Sequence, residues 1–481
     1  MQDSYCKMIK FYFAIILFIF CVLFAKAQDN DFETISQIGL KVVDITTNNQ
    51  EEPTCDFVKS PEGCMGATST NATKVPCRIK IIDSGNIIYD SGNYEKNVSG
   101  ATIKINGNTS AYYAVGLNYP YKLKLQKKAD LLSRNDSHYE DKDWRLIKDA
   151  LSLNTIIGLQ LSEWIQFSWT PKYMPCNVFI NGDYRGCYLL VESIKRNSDC
   201  RINVNKNTGY LIERDPYWWN ENKYFTSNYF APYKGYRWTW KYPDEEDVTV
   251  EQETYITQYI NKTEESIKTG TYEQFIDITS FARWVLAHDI LGSYDSGGTN
   301  LYVSKYDNTN ESLLEMPCIW DFDSNYGMTY GTFSRIHTGD YDYYFNQLFN
   351  SDNKAFTKEY KRLWNELKPT LLSKMTTFID NYIVSSEGIA INTSRIHHFK
   401  RWDYGIATLN ISDDAKEAKD WFSTHLELLD ERINNIDEST SIKRIVNVNA
   451  SNNIYTLYGQ KIDNPKKGIY IKNGKKIVIS Q

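Results

Sequence analysis

The sequence predicts an α+β fold in which a β-rich N-terminal region precedes a larger mixed domain and a small all-β tail. Three observations support this prediction. Short β-prone segments separated by Asp, Asn, Ser and Gly turns fill residues 34–115. The hydrophobic period lengthens toward 3.6 in residues 355–436, which is typical of helices. Short β segments return after residue 439, joined by Asn, Pro, Lys and Gly turns.

Composition limits the class of protein. The chain has 481 residues, of which 42% are hydrophobic and 24% are charged, as in ordinary globular proteins. A formal net charge of -6 does not indicate a nucleic-acid-binding protein. The sequence has no H-E-x-x-H motif and no CxxC or Cys/His cluster, so a zinc site is not expected and a metalloprotease is disfavoured.

Residues 1–27 have the pattern of a secretory signal peptide. Two lysines precede an apolar run from Phe11 to Phe24, and Ala25-Lys26-Ala27 provides a small-residue cleavage site. The run is short for a membrane span, so we expect an exported mature chain without a transmembrane segment. Export permits disulfides, and Cys55 with Cys64 is the most plausible local pair.

Residues 28–99 are predicted to form the N-terminal β-rich region. Strands are expected at Leu40–Ile45, Cys77–Ile82 and Ile87–Tyr89, where apolar alternation is bounded by turn residues. Between them, the Cys-, Gly- and Thr-rich stretch Pro53–Pro76 is expected to be an ordered exposed loop.

The larger mixed domain is predicted to begin with strands at Ala101–Ile105 and Pro120–Leu125. The second strand carries Lys122 and Lys124 on one face, which is either an ordinary solvated face or a position for phosphate-binding lysines. The next stretch, Lys142–Phe167, is expected to be one or two helices.

An Asn-Gly turn then predicts a hairpin between Asn177–Ile180 and Cys187–Ile194, followed by a short strand at Gly209–Glu213. The aromatic segment Trp218–Trp240 fits an insertion packed onto the domain, although a carbohydrate platform or a substrate groove is an alternative. Amphipathic periodicity predicts helices at Val250–Lys268 and Ile278–Leu291.

The stretch 295–327 is the one that carries candidate chemistry. Leu301–Tyr306 and Leu313–Trp320 flank a DNTN turn and are predicted to form a hairpin. Because a hairpin brings its two ends together, Asn300 is expected to lie close to Asp321, with Asp323 one side-chain alternation further on.

The spacing of Asp295 and Asn300 is the D-x-x-x-x-N spacing of a phosphoryl-transfer catalytic loop. In such a loop the Asp accepts the proton of the substrate hydroxyl, the Asn helps to hold a metal ion, and a further carboxylate, here Asp321, supplies the main ligand. The same spacing also occurs by chance, and the DFD triplet would equally fit an ordinary turn or a calcium loop.

Five motifs in a fixed order, spread over about residues 100–440, make the chain resemble the spore coat protein H family, the CotH kinases. The motifs are KLKLQKKADLL (122–132), DWRLI (143–147), VFINGDYRGCYLLVESI (178–194), KYPDEEDVT (241–249) and MPCIWDFDSNYG (316–327). The resemblance implies a two-lobed, atypical protein-kinase-like domain at residues 100–438 that transfers phosphate from ATP to protein hydroxyls. The tail at residues 439–481 resembles the sorting or attachment modules of exported Bacteroidetes proteins.

The resemblance also implies roles for individual residues. Asp295 matches the catalytic Asp, Asn300 its paired Asn, and Asp321 the metal-binding Asp, with Asp323 as a second ligand. The phosphate-contacting lysine is expected to be Lys124, with Lys122 as the alternate, and Glu192 is expected at the hinge that holds adenine.

Two departures from the family pattern bear on ATP binding. Asn106 stands where relatives have an Arg, just before Gly107–Ser110, which is the place of a phosphate-binding loop. The segment Asn154–Leu161 lacks the Arg-Asn pair that is common in relatives. A neutral amide does not replace a guanidinium contact to phosphate, so both departures bear on nucleotide affinity.

Three functions follow as alternatives. The first is an exported kinase that uses ATP with Mg or Mn and phosphorylates protein hydroxyls, Ser or Thr rather than Tyr. The second is a pseudokinase or structural protein of the cell surface or a spore coat, which keeps the fold without turnover. The third is a carbohydrate-binding adhesin built on the aromatic segment.

Overall fold

A computed structural model of the chain describes most of residues 31–479 as an α+β protein. The described residues are 31–64, 66–148, 152–228, 236–293, 300–323, 326, 343–403, 410–436, 454–456, 461–462, 464–472 and 475–479. The predicted signal peptide and Asp295 lie outside these ranges.

The N-terminal half is built on a first sheet that closes on itself. Its strands, together with the separate hairpin β2–β3, are β1 (Lys41–Thr47), β2 (Asp56–Lys59), β3 (Ala67–Thr70), β4 (Val75–Asp83), β5 (Asn86–Asp90), β6 (Ala101–Ile105), β7 (Tyr121–Ala129), β8 (Asp141–Ile147), β9 (Tyr173–Ile180) and β10 (Asp183–Glu192). The strand order is β1-β9-β10-β8-β7-β6-β4-β5, and β1 also pairs with β4. Because β1 joins both β9 and β4, the sheet is barrel-like, a closure that the sequence did not predict.

Alternation of apolar and polar residues explains the two faces of the first sheet. Strand β6 reads ATIKI and buries Ala101, Ile103 and Ile105, while β7 buries its own alternate residues, Leu123 and Leu125 among them. These side chains join Trp144 and Tyr188 in the core inside the closed sheet. The polar residues of the same strands therefore point to the outer face, where the lysines lie.

A second sheet follows in the chain. Its strands are β11 (Tyr210–Asp215), β12 (Tyr224–Phe225), β13 (Arg237–Tyr242), β14 (Leu301–Lys305) and β15 (Leu314–Glu315), in the order β12-β13-β11-β14-β15. One face carries Ile212, Trp238 and Val303 into the largest apolar core. The other face carries Leu211 and Tyr302 in a smaller apolar cluster that also contains Ile194 and Cys318.

Most of the helices contribute to the largest apolar core together with one face of the second sheet. They are α1 (Phe32–Ser36), α2 (Thr109–Tyr112), α3 (Asn154–Ile165), α4 (Val250–Thr269), α5 (Ile278–Leu291), α6 (Tyr343–Asn350), α7 (Ala355–Val384), α8 (Ser386–Trp402) and α9 (Ile411–Asn434). A capping box between Thr249 and Gln252 starts α4, and Gly270 ends it in a left-handed conformation. Helix α7 packs against α5 and α9, and α8 lies on β10. Among the helices that the structure describes, none combines the length and the apolar character that crossing a membrane requires.

The C-terminal tail is β structure in its described residues, as predicted. Strands β16 (Ile454–Tyr455), β17 (Lys461–Ile462), β18 (Gly468–Lys472) and β19 (Lys475–Ile479) form a sheet in the order β17-β16-β18-β19. A role in sorting or attachment stays a prediction.

Three local predictions were wrong. Lys142–Phe167 is not helical throughout, because Asp141–Ile147 is strand β8, paired with β7 and β10, and only the α3 part is a helix. The expected loop Pro53–Pro76 contains the hairpin β2–β3. Cys55 and Cys64 do not form the expected disulfide.

Candidate active site

The predicted hairpin at the candidate site is confirmed. Strands β14 and β15 pair antiparallel, with Ser304 opposite Glu315 and Lys305 opposite Leu314. The second strand is shorter than expected, since residues 316–323 are not paired as a strand. This chain returns beside the start of β14 and carries the WDFD motif with it.

The two ends of the hairpin meet at Asn300 and Asp321. The amide Nδ2 of Asn300 donates a hydrogen bond to Oδ2 of Asp321 across 3.0 Å. Both residues have a left-handed backbone, with φ of 57° and 69°. Asn and Asp adopt this conformation more readily than other residues that carry a side chain, which explains why they can occupy the mouth of the hairpin. The expected proximity of the two side chains is therefore present.

Helix α3 supports the rest of the WDFD motif. Phe322 is 2% exposed and packs on Gly158, where a Cβ atom added to the glycine would lie 2.2 Å from the ring. Only glycine leaves room for the phenylalanine at this point of the helix. Asn154 Nδ2 donates a hydrogen bond to the backbone carbonyl of Asp323 across 3.4 Å. The side chain of Asp323 itself is exposed.

The predicted catalytic residue Asp295 lies outside the described residues, which stop at Ser293 and resume at Asn300. Helix α5, which precedes it, ends at Leu291 and is followed by Gly292 in a left-handed conformation. Another acid of this helix, Asp289, is fully buried and accepts a hydrogen bond from Tyr360 Oη at 2.6 Å. Asp289 therefore serves the packing of α5 on α7.

The two candidate phosphate-binding lysines lie on the outer face of β7, as predicted, but in different surroundings. Lys122 is partly buried, its Nζ lies 3.8 Å from Oδ1 of Asp143, and burial lowers the pKa of its ammonium group to about 8. It stands directly opposite Lys104 on β6 and Arg145 on β8. Lys124 is exposed. Both lysines have charged neighbours, since Lys124 is directly opposite Asp143, but only Lys122 is partly buried among them.

Glu192, the predicted hinge residue, has its carboxylate inside a hydrogen-bonded network. It is 1% exposed, and Oε1 lies 2.8 Å from Nη1 of Arg134 and 2.5 Å from Nη1 of Arg201. Its Oε2 accepts the backbone N–H of Lys172 across 3.0 Å. The side chain is committed to these partners, so any part in holding adenine would fall to the backbone that follows β10. That role stays a prediction.

The face of the second sheet that carries Leu211 and Tyr302 also carries a charged cluster. Oε2 of Glu213 lies 2.7 Å from Nζ of Lys241, and the pKa of Lys241 is raised by Glu213 and Asp215 despite burial. Asp215 accepts hydrogen bonds from the Tyr217 N–H at 2.7 Å and from Thr239 Oγ1 at 3.2 Å. Burial, and then the charge of Glu213, raise the pKa of Asp215 to about 7.

Contacts between side chains connect the two sheets at this site. The guanidinium of Arg145 on β8 lies over the ring of Trp320, 5.8 Å from its centroid. Arg145 also interacts electrostatically with Tyr302 on β14, and Lys104 on β6 interacts with Glu221, which follows β11. The basic outer face of the first sheet thus lies against the hairpin mouth and the face of the second sheet that carries Tyr302.

Sequence reasoning missed several of these charged residues. Lys104 could have been found, because it alternates with the apolar residues of ATIKI. Arg145 was hidden by the helical interpretation of its segment. Asp215 and Lys241 lie on neighbouring strands, and the sequence gives no register between those strands.

A protein-family model matches the part of the chain that contains the candidate site. The family model described as CotH kinase protein matches residues 103–429, which is more than half of the chain. The chain belongs to the CotH kinase family. No curated protein matches it. The matched region runs from β6 to α9 and includes both sheets' contributions to the candidate site.

Membership in the CotH kinase family indicates a kinase-like, phosphotransferase function. Residues 28–99 lie before the matched region, yet β1 and β4 from this stretch complete the closed sheet. The N-terminal region is therefore part of the same sheet as the CotH match.

The segment at the place of a phosphate-binding loop is tied to its surroundings. Ser69 Oγ of β3 donates a hydrogen bond to the carbonyl of Gly107 across 2.8 Å. Thr109 Oγ1 lies 3.1 Å from the hydroxyl of Tyr217, just after β11. These bonds connect the loop of this CotH protein both to the hairpin β2–β3 and to the second sheet. The backbone N–H of Asn106 donates a hydrogen bond to the carbonyl of Pro120.

The aromatic segment of this CotH protein contributes mainly to packing in its described part. Trp238 and Trp240 are 1% and 7% exposed and belong to the largest core. The ring of Trp218 lies under the guanidinium of Arg237 at 4.9 Å and contacts Tyr224. Residues 229–235 are outside the described residues. The packed-insertion interpretation accounts for these contacts, and none of them favours the carbohydrate platform.

Proposed function

We propose that the chain is an exported atypical protein kinase that transfers the γ-phosphoryl group of ATP to Ser or Thr hydroxyls of proteins. The observation that carries the proposal is the Asn300–Asp321 contact at the hairpin mouth, adjacent to a strongly basic strand face. An amide and a carboxylate beside a cationic surface are the groups that phosphoryl transfer needs, because the reaction depends on positioning and charge neutralisation. Family membership supports the same conclusion.

The residues at the mouth fit a divalent cation. Asn300 and Asp321 offer the hard oxygen atoms that Mg or Mn prefers, and Asp323 offers a further carboxylate two residues on. Among the described residues, no three His, Cys, Asp or Glu side chains converge as a metal site would require. Mg commonly binds nucleotide sites through one or two carboxylates, with phosphate and water oxygens completing its shell. When bound, the cation would neutralise charge on the phosphate oxygens.

The remaining chemistry falls to residues of the chain. Asp295 accepts the proton of the acceptor hydroxyl while the hydroxyl oxygen attacks the γ-phosphorus, and the bond from that phosphorus to the β–γ bridging oxygen breaks, releasing ADP. Lysines of β7 bind the phosphates and hold them in line. Lys122 suits this role better than Lys124, because it is partly buried among the other charged groups of the face. The hinge after Glu192 and the second sheet would enclose the adenine between two lobes.

The proposed partner is a protein with exposed hydroxyls outside the cytoplasm. The signal-peptide pattern of residues 1–27 supports export, and the β tail would attach or sort the mature chain. A membrane span is not part of the proposal.

The test is incorporation of labelled phosphate from ATP by the purified mature chain, with Mg and with Mn. Asp321→Ala should reduce incorporation by about 100-fold or more, since it removes several kcal/mol of charge stabilisation in the transition state. Asp295→Ala should have a comparable effect. Asp307→Ala is the matched control, because Asp307 lies at the opposite end of the same hairpin, where its carboxylate accepts hydrogen bonds from Thr309 in the turn; it should retain activity.

Thermal-shift titration with ATP and Mn separates the kinase from the pseudokinase alternative. Stabilisation by ATP without incorporation, in wild type and variants alike, would assign the chain to the pseudokinases. If ATP neither stabilises the protein nor donates phosphate, with Mg and with Mn alike, the proposal of a nucleotide site is overturned.

A further inference from the structure

Three cations stand in one row on the outer face of the first sheet. Lys104 on β6 is directly opposite Lys122 on β7, and Lys122 is directly opposite Arg145 on β8. Residues that are directly opposite one another in a sheet project to the same face, so the three side chains are neighbours. Lys124 interacts with both Lys122 and Lys104, and Lys74 interacts with Lys104.

This row is not neutralised by the part of the chain that the structure describes. Like charges directly opposite one another destabilise a sheet. Asp143 is 3.8 Å from Lys122, but its other oxygen is bound to Lys195, which lies closer. Glu221 attracts Lys104, but Lys74 and Lys124 add further positive charge beside it, so the described carboxylates do not balance the cations of the row. A folded protein can keep such a row if an anion of matching shape binds to it.

The two ends of the row are held apart. Arg145 lies over the ring of Trp320, next to Asp321, and its Nε is buried without a hydrogen-bond partner among the described residues. At the other end, Lys104 interacts with Glu221 beyond β11. Two strand spacings separate the ends, roughly 10 Å. A single phosphate group does not reach both ends, whereas a chain of phosphates does.

We propose that Lys104, Lys122 and Arg145 bind the phosphate chain of a nucleoside triphosphate along its length, with Lys104 and Arg145 contacting different phosphate groups. The row would thereby distinguish a triphosphate from a diphosphate or a monophosphate. This inference rests on the proposed function, because it concerns the same site. It assigns ligand-binding roles to Lys104, which lies outside the five family motifs, and to Arg145, which lies in the DWRLI motif but was given no role by the sequence analysis.

The experiment is calorimetric titration of the full chain with ATP, ADP, AMP and inorganic tripolyphosphate in buffer with a chelator, so that the Asp321 metal site does not contribute. Lys104→Met and Arg145→Met should each weaken ATP and tripolyphosphate by about 10- to 100-fold, the loss of one charge-assisted contact. One of the two variants should weaken ATP but leave ADP unchanged, since only one end of the row reaches the terminal phosphate. Lys104→Arg and Arg145→Lys, which keep the charge, should recover most of the affinity.

Lys128→Met is the matched control, because Lys128 lies on the same strand as Lys122 but is exposed and away from the row. It should bind all four ligands as the wild type does. Thermal melting of each variant without ligand shows that the fold is retained.

The outcomes separate this inference from the proposed function. If the wild type binds ATP but Lys104→Met and Arg145→Met leave the ratio of the ATP and ADP affinities unchanged, the triphosphate-binding role of the row is overturned. The kinase proposal then stands. If tripolyphosphate binds and both variants lose it, but ATP does not bind, the row is supported and the nucleotide site is overturned. If the wild type binds neither ATP nor tripolyphosphate, both the phosphate-binding role of the row and the proposed nucleotide site are overturned.

Discussion

Two clusters of charge on neighbouring strands of the first sheet have opposite character. Around Glu192, at the end of β10, one carboxylate is bound by Arg134 and Arg201, and every member is partly or fully buried. Across β6, β7 and β8, three cations stand in a row with Asp143 as the carboxylate beside them, and Asp143 is shared with Lys195. In the first cluster the carboxylate lies between two guanidinium groups, whereas in the second the cations outnumber the carboxylates beside them.

The difference between these two clusters distinguishes charges that stabilise the fold from charges that are available to a ligand. Burying a charge is unfavourable unless partners compensate it, so a cluster that is already paired needs nothing more from outside. A cluster of like charges lowers the stability of the empty protein, and binding of an anion recovers that stability. Removing one member should therefore have opposite effects on the two clusters, destabilising the first and stabilising the second.

The largest effect is expected for Glu192→Ala. This change leaves the buried guanidinium groups of Arg134 and Arg201 without their carboxylate, which should lower the free energy of unfolding by about 3–5 kcal/mol. Urea unfolding followed by circular dichroism measures the change.

The matched control for that prediction is Glu163→Ala. Glu163 pairs with Lys172 at the surface, with 41% and 49% of the two side chains exposed, and its removal should change the unfolding free energy by less than about 1 kcal/mol. Equal effects of the two substitutions would contradict the structural role assigned to Glu192.

An intermediate effect is expected for Asp215→Asn, because Asp215 is only partly compensated. Lys241 lies nearby but is paired with Glu213, and burial, followed by the negative charges of Glu213 and Glu221, raises the pKa of Asp215 to about 7. The folded state therefore holds a proton that the unfolded state has released, and the stability of the wild type should fall as pH rises from about 4 to 7.

Asn is neutral and keeps the hydrogen bonds to Tyr217 and Thr239, so Asp215→Asn should remove this part of the slope. Above pH 7 the variant should exceed the wild type by about 1–3 kcal/mol, which is less than the full pKa shift allows because relaxation around the buried charge reduces its cost. Urea unfolding at several pH values between 4 and 8 measures this difference, with Asp307→Asn, in the turn of the β14–β15 hairpin, as control. Parallel pH profiles for wild type and Asp215→Asn would show that Asp215 does not carry the raised pKa.

Local sequence patterns predicted the parts of the fold that depend on neighbours in the chain. The bounds of β6 and α5 follow from alternation and from 3.6-residue periodicity, and the mouth of the β14–β15 hairpin follows from turn chemistry. The segment of β8 failed because Trp144 and Ile147 are three residues apart, a spacing that fits a helix as well as a strand. Pairing with β7 and β10 decided the outcome, and no local pattern reports such pairing.

The same limit applies to the candidate site. The proximity of Asn300 and Asp321 could be predicted from the sequence because one hairpin joins them. The partners of Glu192 could not, since Arg134 and Arg201 come from other segments. The cationic row depends on the register of three strands and was likewise hidden. Closure of the first sheet through β1 also needs contacts between distant parts of the chain.

The smallest effect, and the one that tests the comparison most directly, is expected for Lys104→Met without ligand. Removing one cation relieves the repulsion from Lys122, so the unfolding free energy should rise by about 0.2–1 kcal/mol, whereas ordinary loss of a structural lysine would lower it. Low ionic strength should enlarge the gain and high salt should diminish it, because salt screens the repulsion. Lys128→Met, on the exposed end of β7, should change little at either salt concentration. If Lys104→Met destabilises the empty protein as Glu192→Ala does, both clusters are structural, and the distinction between a paired and an unpaired set of charges fails for this sheet.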